Sequence, residues 1–123
     1  MKRIAFVHDV FPGGGAERVT LDIAEYLSQN KPDYRCYVLT PHVIEDLNTE
    51  DVRRNITIIP IRRRKKERSE DVERLIVSEK IDLVVQVAQP VMHMRNICKR
   101  TGCKSIFSNH GEPLWERYSI IRR

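Results

Sequence analysis

The chain reads as an α/β protein, a parallel β-sheet with helices on both faces. Two observations predict this class. Short apolar, β-branched runs alternate with amphipathic helical segments along the whole chain. The first of those runs leads almost directly into three consecutive glycines, with a helical pattern on their far side. Strands separated by helices at this spacing pair in parallel, because the intervening helix carries the chain back to the same edge of the sheet.

Residues 4–8, Ile4-Ala5-Phe6-Val7-His8, form the first expected strand, and their nearly unbroken apolar character suits burial on both faces. Gly13, Gly14 and Gly15 follow, and then a helix with Ala16, Val19, Ile23, Ala24 and Leu27 on one stripe. Glu17, Arg18, Asp22, Glu25 and Gln29 take its opposite face, and Asn30-Lys31-Pro32-Asp33 ends it. Residues 35–40 and 56–61 read as the second and third strands, with a short helical turn expected around 43–47 in the polar stretch between them. Ser69 is the expected N-cap of the next helix, where Glu70, Asp71 and Glu73 complement the dipole and Val72, Leu75 and Ile76 form the buried stripe.

Residues 81–87 are the fourth strand. Pro90 stands at a first-turn position of the helix after it, Val91, Met94, Ile97 and Cys98 recur at helical spacing, and Gly102 closes it. Residues 104–108 are the fifth strand, and Asn109-His110-Gly111-Glu112-Pro113 is the turn beyond. Leu114, Trp115, Tyr118, Ile120 and Ile121 begin a further apolar element before the chain stops at Arg123. Residues 1–123 are therefore expected to be one domain, and an incomplete one, since a sheet of this kind normally continues.

Composition narrows the function classes. With 41% hydrophobic and 32% charged residues the chain is ordinary and globular. No apolar run approaches the roughly 20 residues of a membrane span. The apolar stretch after Met1-Lys2-Arg3 is cut at once by His8 and Asp9, so no signal peptide is expected. Cys36, Cys98 and Cys103 lack a second pair at zinc spacing, so they read as ordinary thiols and no metal site is assigned.

The net charge of +5 is uneven. Arg53, Arg54, Arg62, Arg63, Arg64, Lys65, Lys66 and Arg68 are opposed only by Glu67, while the rest of the chain is slightly acidic. Such a run is a solvated loop, a contact for an anionic membrane surface, or a nucleic-acid contact. No aromatic residue interleaves it, which weighs against nucleic acid.

The glycine loop is where chemistry is expected. A strand, a glycine turn and a helix point free backbone N–H groups at a ligand, and the positive end of the helix dipole favours a phosphate or pyrophosphate there. Glycine leaves room for the ligand to approach the backbone. Parallel sheets bind ligands beyond the carboxyl ends of their strands, where strand order reverses. The named phosphate motifs do not fit. Gly13 and Gly15 begin a dinucleotide fingerprint, but Arg18 stands at its third glycine, and Thr40-Pro41 stand where the second strand's acidic residue belongs. No Gly-Lys-Ser/Thr follows, so a P-loop is excluded.

Val7-His8-Asp9 through Gly13-Gly14-Gly15-Ala16-Glu17-Arg18-Val19, with His110-Gly111-Glu112-Pro113 after the fifth strand, resembles the family 4 glycosyltransferases. Their architecture is GT-B, two facing Rossmann-like domains, and the resemblance covers the chain as the first part of the N-terminal, acceptor-side domain. It implies transfer of a sugar from a nucleotide-sugar, with retention of anomeric configuration, to a cell-surface polysaccharide or glycolipid acceptor. The donor is then a substrate, and no cofactor is implied.

On this resemblance Gly13, Gly14, Gly15 and Ala16 would approach the donor's pyrophosphate, and His110 would be catalytic at the mouth of the cleft. Asp9, Glu17, Arg18 and Glu112 would lie on the acceptor side. Arg62, Arg63, Arg64, Lys65 and Lys66 would face an anionic membrane, placing the protein in the cytoplasm at the inner face of the plasma membrane. Plainer readings stay open. The glycines only permit a tight turn, His110 is an exposed loop histidine, Glu112 is solvated, and His8 and Asp9 merely end a strand. The second domain of such enzymes is missing from these 123 residues, so the chain is expected to be inactive or weak alone. The alternative is a non-catalytic half that pairs with a separate catalytic chain through its C-terminal apolar segment, or binds a nucleotide.

Overall fold

Five parallel strands make the main sheet of the computed structural model, which describes residues 2–11, 15–43, 56–87 and 90–108. In chain order the strands are β1 (Lys2–Val7), β2 (Val10–Phe11), β3 (Tyr34–Thr40), β4 (His42–Val43), β5 (Ile56–Pro60), β6 (Leu83–Val87) and β7 (Lys104–Ser108). The helices are α1 (Gly15–Asn30), α2 (Lys65–Ser78) and α3 (Met94–Thr101). The sheet order is β5-β3-β1-β6-β7, so the chain winds outward from β1 in one direction and then in the other. β1 pairs with β3 from Lys2↔Tyr34 to Val7↔Leu39, and with β6 from Ile4↔Leu83 to Val7↔Gln86. Strand order reverses between β1 and β6, which puts the crevice of a doubly wound sheet beyond Val7 and Val87.

The two-residue period of the strands divides the core. Ala5, Val7, Tyr37, Leu39 and Val84 face one way and pack with Val72, Leu75 and Ile76 of α2 and Met94 and Ile97 of α3. Phe6, Cys36, Val38, Val85 and Val87 face the other way, where Ala24, Leu21 and Leu27 of α1 meet them. Burying a side chain of this size contributes about 1.5–3 kcal/mol. The apolar runs are nearly continuous because both faces are covered.

Several expected details differ. The α1 stripe is turned: Thr20 and Ala24 are buried with Leu21 and Leu27 beside them, while Val19 and Ile23 are 38% and 39% exposed. Val19, Ile23 and Tyr26 form a second apolar row next to the first, and hydropathy alone does not choose between them. The choice follows from His8, whose Nε2 shares a 2.7 Å hydrogen bond with Thr20 Oγ1 in the interior. α2 starts at Lys65, ahead of the expected cap, and Ser69 is buried within it, donating its hydroxyl to the Lys66 carbonyl. The end of the basic run is thus the first turn of a helix, and not loop throughout. Arg62 and Asp71 hold this earlier start, as described below. α3 begins at Met94, beyond Pro90, because Gln86 Oε1 takes the Val91 N–H at 2.8 Å and fixes the preceding loop.

Val43, expected in a helical turn, belongs to β4, which pairs in parallel with β2 through Val10↔His42 and Phe11↔Val43. The rest of that turn lies outside the described residues. Asn30 does end α1, its amide donating to the Tyr26 carbonyl at 3.0 Å. Gly102 does close α3, in the left-handed region at φ 77° with its N–H on the Cys98 carbonyl.

Candidate functional site

At the carboxyl edge of the sheet β1 ends, α1 begins, and buried polar groups join them. The His8 N–H continues the ladder by donating to the Leu39 carbonyl at 3.0 Å. Its imidazole is buried against Thr20, in the second turn of α1. Thr40 Oγ1 donates to the Asp9 carbonyl at 3.2 Å, and the Thr40 carbonyl takes the Ile61 N–H at 3.1 Å. The segment leaving β1 is therefore tied to β3 on one side and to α1 on the other. These bonds set the direction from which the chain enters the helix.

Gly15 opens α1, and Ala16, Glu17 and Arg18 complete its first turn. The first four N–H groups of an α-helix have no partner within it, so this turn presents donors at the positive end of a 16-residue dipole. It stands beside β1, next to the reversal of strand order. Asp9 sits half-buried in the bend between β1 and β2 at the same edge. Gly13, Gly14, His110 and Glu112 lie outside the described residues.

The basic residues sit at this edge too, where β5 passes into α2. Arg63, Arg64, Lys65 and Lys66 are exposed. Arg62 is exposed as well, its side chain 55% accessible, but it is also bonded to the fold. Its Nη2 and Nε reach the Asp71 carboxylate at 2.9 and 3.1 Å, and its backbone N–H donates to Asp71 Oδ2 at 2.8 Å. Arg74 adds a contact at 3.2 Å. The Arg62 bonds hold the buried Asp71 carboxyl well below its ordinary range, at about 2. Asp71 thereby latches the β5–α2 loop onto the helix it precedes.

Sequence reasoning singled out Asp9 and the start of α1 and read Asp71 only as a complement to a helix dipole, while it gave no role to Thr20, Thr40 or Gln86. Each is polar, buried and satisfied by a partner far along the chain or across a loop, so no local pattern marks it. The only local signal was His8, a polar residue closing an apolar strand. Burial pushes the thiols of Cys36 and Cys103 up to about 11, which keeps both protonated and unreactive at neutral pH. Among the described residues no three His, Cys, Asp or Glu side chains converge as a metal site would need, and no helix is long and apolar enough to cross a membrane.

Solved structures share this fold. A glycosyltransferase from Rickettsia africae superposes with a TM-score of 0.69 at 20% identity, over 95% of this chain and 33% of its own length. A UGT transferase from Siraitia grosvenorii, solved in complex with UDP, gives a TM-score of 0.60 at 18% identity, over 89% of this chain and 24% of its own. The chain thus spans a quarter to a third of these proteins, and the likeness is one of fold. No curated protein matches the sequence at a significant level. The model of Glycosyltransferase Family 4 matches residues 13–123, from the first of the three consecutive glycines to the last residue, and the chain belongs to that family.

Proposed function

We propose that this chain is the acceptor-side, N-terminal part of a retaining glycosyltransferase that moves a sugar from a nucleotide-sugar to a cell-surface polysaccharide or glycolipid. The observation that carries the reading is the start of α1 beside the β1–β6 reversal, within a chain whose family match begins at Gly13. Departure of a nucleoside diphosphate leaves negative charge on its phosphates, and preorganised N–H groups stabilise that charge as it develops. Glycines at 13–15 let the diphosphate come close. The UDP in the Siraitia grosvenorii structure supports a nucleotide-sugar donor. His110 acts at the cleft mouth, with Asp9, Glu17, Arg18 and Glu112 on the acceptor side. Arg63, Arg64, Lys65 and Lys66 turn the same edge toward anionic lipid, which places the enzyme in the cytoplasm at the inner face of the plasma membrane.

The test is sugar transfer and nucleoside diphosphate release by the full-length protein, over a panel of UDP- and GDP-sugars with a membrane extract as acceptor. Gly14→Val should lower turnover by roughly a hundredfold or more, the scale of losing an oxyanion donor, with the fold intact. Full activity in Gly14→Val would remove the loop from the mechanism, and absence of transfer with every donor would remove the transferase reading. The non-catalytic alternative draws on the exposed Val19, Ile23 and Tyr26. It requires a stable complex with a second chain and no turnover without it.

A further inference from the structure

α1 carries two apolar rows and buries only one of them. Thr20, Ala24 and Leu27 face the sheet, while Val19, Ile23 and Tyr26, each one residue earlier, are 38%, 39% and 58% exposed. A helix turns about 100° per residue, so rotation by a single step would exchange the two rows. The exchange would bury the bulkier set, which hydropathy favours. The observed rotation therefore has another cause.

That cause is polar. His8 and Thr20 are each 2% exposed, and His8 Nε2 lies 2.7 Å from Thr20 Oγ1. Apolar contact is non-directional, whereas a buried hydrogen bond is lost as soon as one partner turns away. Turning α1 by one step would carry Thr20 off His8 and break the bond in the interior. His8 is held in place from the other side. Its N–H donates to the Leu39 carbonyl at 3.0 Å, and the carbonyl of the next residue, Asp9, takes the Thr40 hydroxyl at 3.2 Å.

The bond also sits close to the chemistry. Thr20 lies five residues beyond Gly15, about 7.5 Å along the axis from the start of the turn that faces the donor in the proposed function. A one-step rotation at the Cα radius of about 2.3 Å would move the Cα atoms of that turn by about 3.5 Å. Misplacement of about 1 Å is enough to lower a rate roughly a hundredfold.

We propose that the His8–Thr20 hydrogen bond is a rotational lock on α1, and that His8 and Thr20 are positioning residues for the donor's diphosphate. Both are buried, so they act through the N–H groups of the first turn, which the bond holds in one of two competing packings. The proposal rests on the transferase reading and names what aims its diphosphate site.

The test uses the full-length protein and reads kcat, donor KM and the affinity for UDP and GDP separately. Charge builds on the diphosphate as the sugar leaves, so a misaimed turn lowers kcat and weakens the free nucleotide while donor KM changes less. Thr20→Val keeps the shape and removes the hydroxyl. It should lower kcat at least tenfold and weaken the nucleotide about tenfold, with donor KM within about twofold. Thr20→Ser keeps the hydroxyl and should stay within about threefold of wild type. If Thr20→Val does not fold, the smaller Thr20→Ala is read in the same way.

Val19→Ser combined with Ile23→Ser is the second-site test, because it makes the competing row polar. Alone it should leave activity within about twofold, and added to Thr20→Val it should restore most of the lost kcat and affinity. Val72→Ala, in the core on the other face of the sheet, is the control for a purely structural loss. It should lower the thermal midpoint and leave nucleotide affinity within about twofold. Unchanged kcat and affinity in Thr20→Val, loss without rescue, or an equal loss of affinity in Val72→Ala overturns the lock. Transfer that ignores these variants removes the lock alone. Nucleotide affinity that follows them, in a protein that transfers no sugar, keeps the lock and removes the transferase reading.

Discussion

Asp71 shows how one side chain decides where an element begins. Its carboxylate collects the Arg62 N–H, the Arg62 guanidinium and Arg74, and so anchors a helix whose first turn is poor in acids. Its ordinary value is 3.8 and in the fold it lies at about 2, chiefly through Arg62. A depressed carboxyl stabilises the fold fully above the unfolded value and loses that contribution as pH falls through the folded one. The window is therefore about pH 4 down to pH 2. Asp71→Asn should cost on the order of 2 kcal/mol at pH 7, read from chemical denaturation. The gap to wild type should shrink as the pH drops from 4 to 2. A gap of constant size across that window would show that the charge on Asp71 contributes nothing. From sequence, Asp71 reads only as a carboxylate suited to a helix start; its partner lies nine positions back in a basic run and carries no pairing signal.

At the scale of elements, periodicity located the strands and the buried faces of α2 and α3, because apolar spacing states directly which side meets the sheet. Helix starts were less legible. α2 and α3 begin where Asp71 and Gln86 receive backbone N–H groups, contacts made across a turn and invisible to a periodic pattern. The rotation of α1 was hidden for a related reason, since the polar Thr20 is buried by a bond to His8 while Val19 and Ile23 are left half-exposed. The end of α3 was readable, because a left-handed closing residue calls for glycine. At Gly102, φ is 77° and an added Cβ would meet nothing within 4 Å. Gly102→Ala should then cost only the conformational penalty, about 1 kcal/mol. No loss on thermal unfolding would mean that α3 closes in another way.

For the whole molecule, alternation of strands and helices was enough to specify a parallel sheet covered on both faces, and the order β5-β3-β1-β6-β7 is its doubly wound form. The short β2–β4 pair was not legible, since two residues on each side leave no pattern to count. Of the candidate site, the meeting of β1 and α1 was visible in advance as an apolar strand, glycines and a helical stripe. The buried polar bonds that hold it, from His8 to Thr20 and from Thr40 to Asp9, join residues on separate elements and emerge only with the fold.

The central claim is that the carboxyl edge of the sheet, where β1 hands over to α1, receives the diphosphate of the donor. Hydrogen–deuterium exchange on the full-length protein, with and without saturating UDP, tests it most directly. Slowed exchange is expected across residues 8–20, with no change at the opposite edge around Lys2, Asp82 and Lys104, where a separate cavity opens. Protection confined to that opposite edge, or none across 8–20 with UDP demonstrably bound, would contradict it.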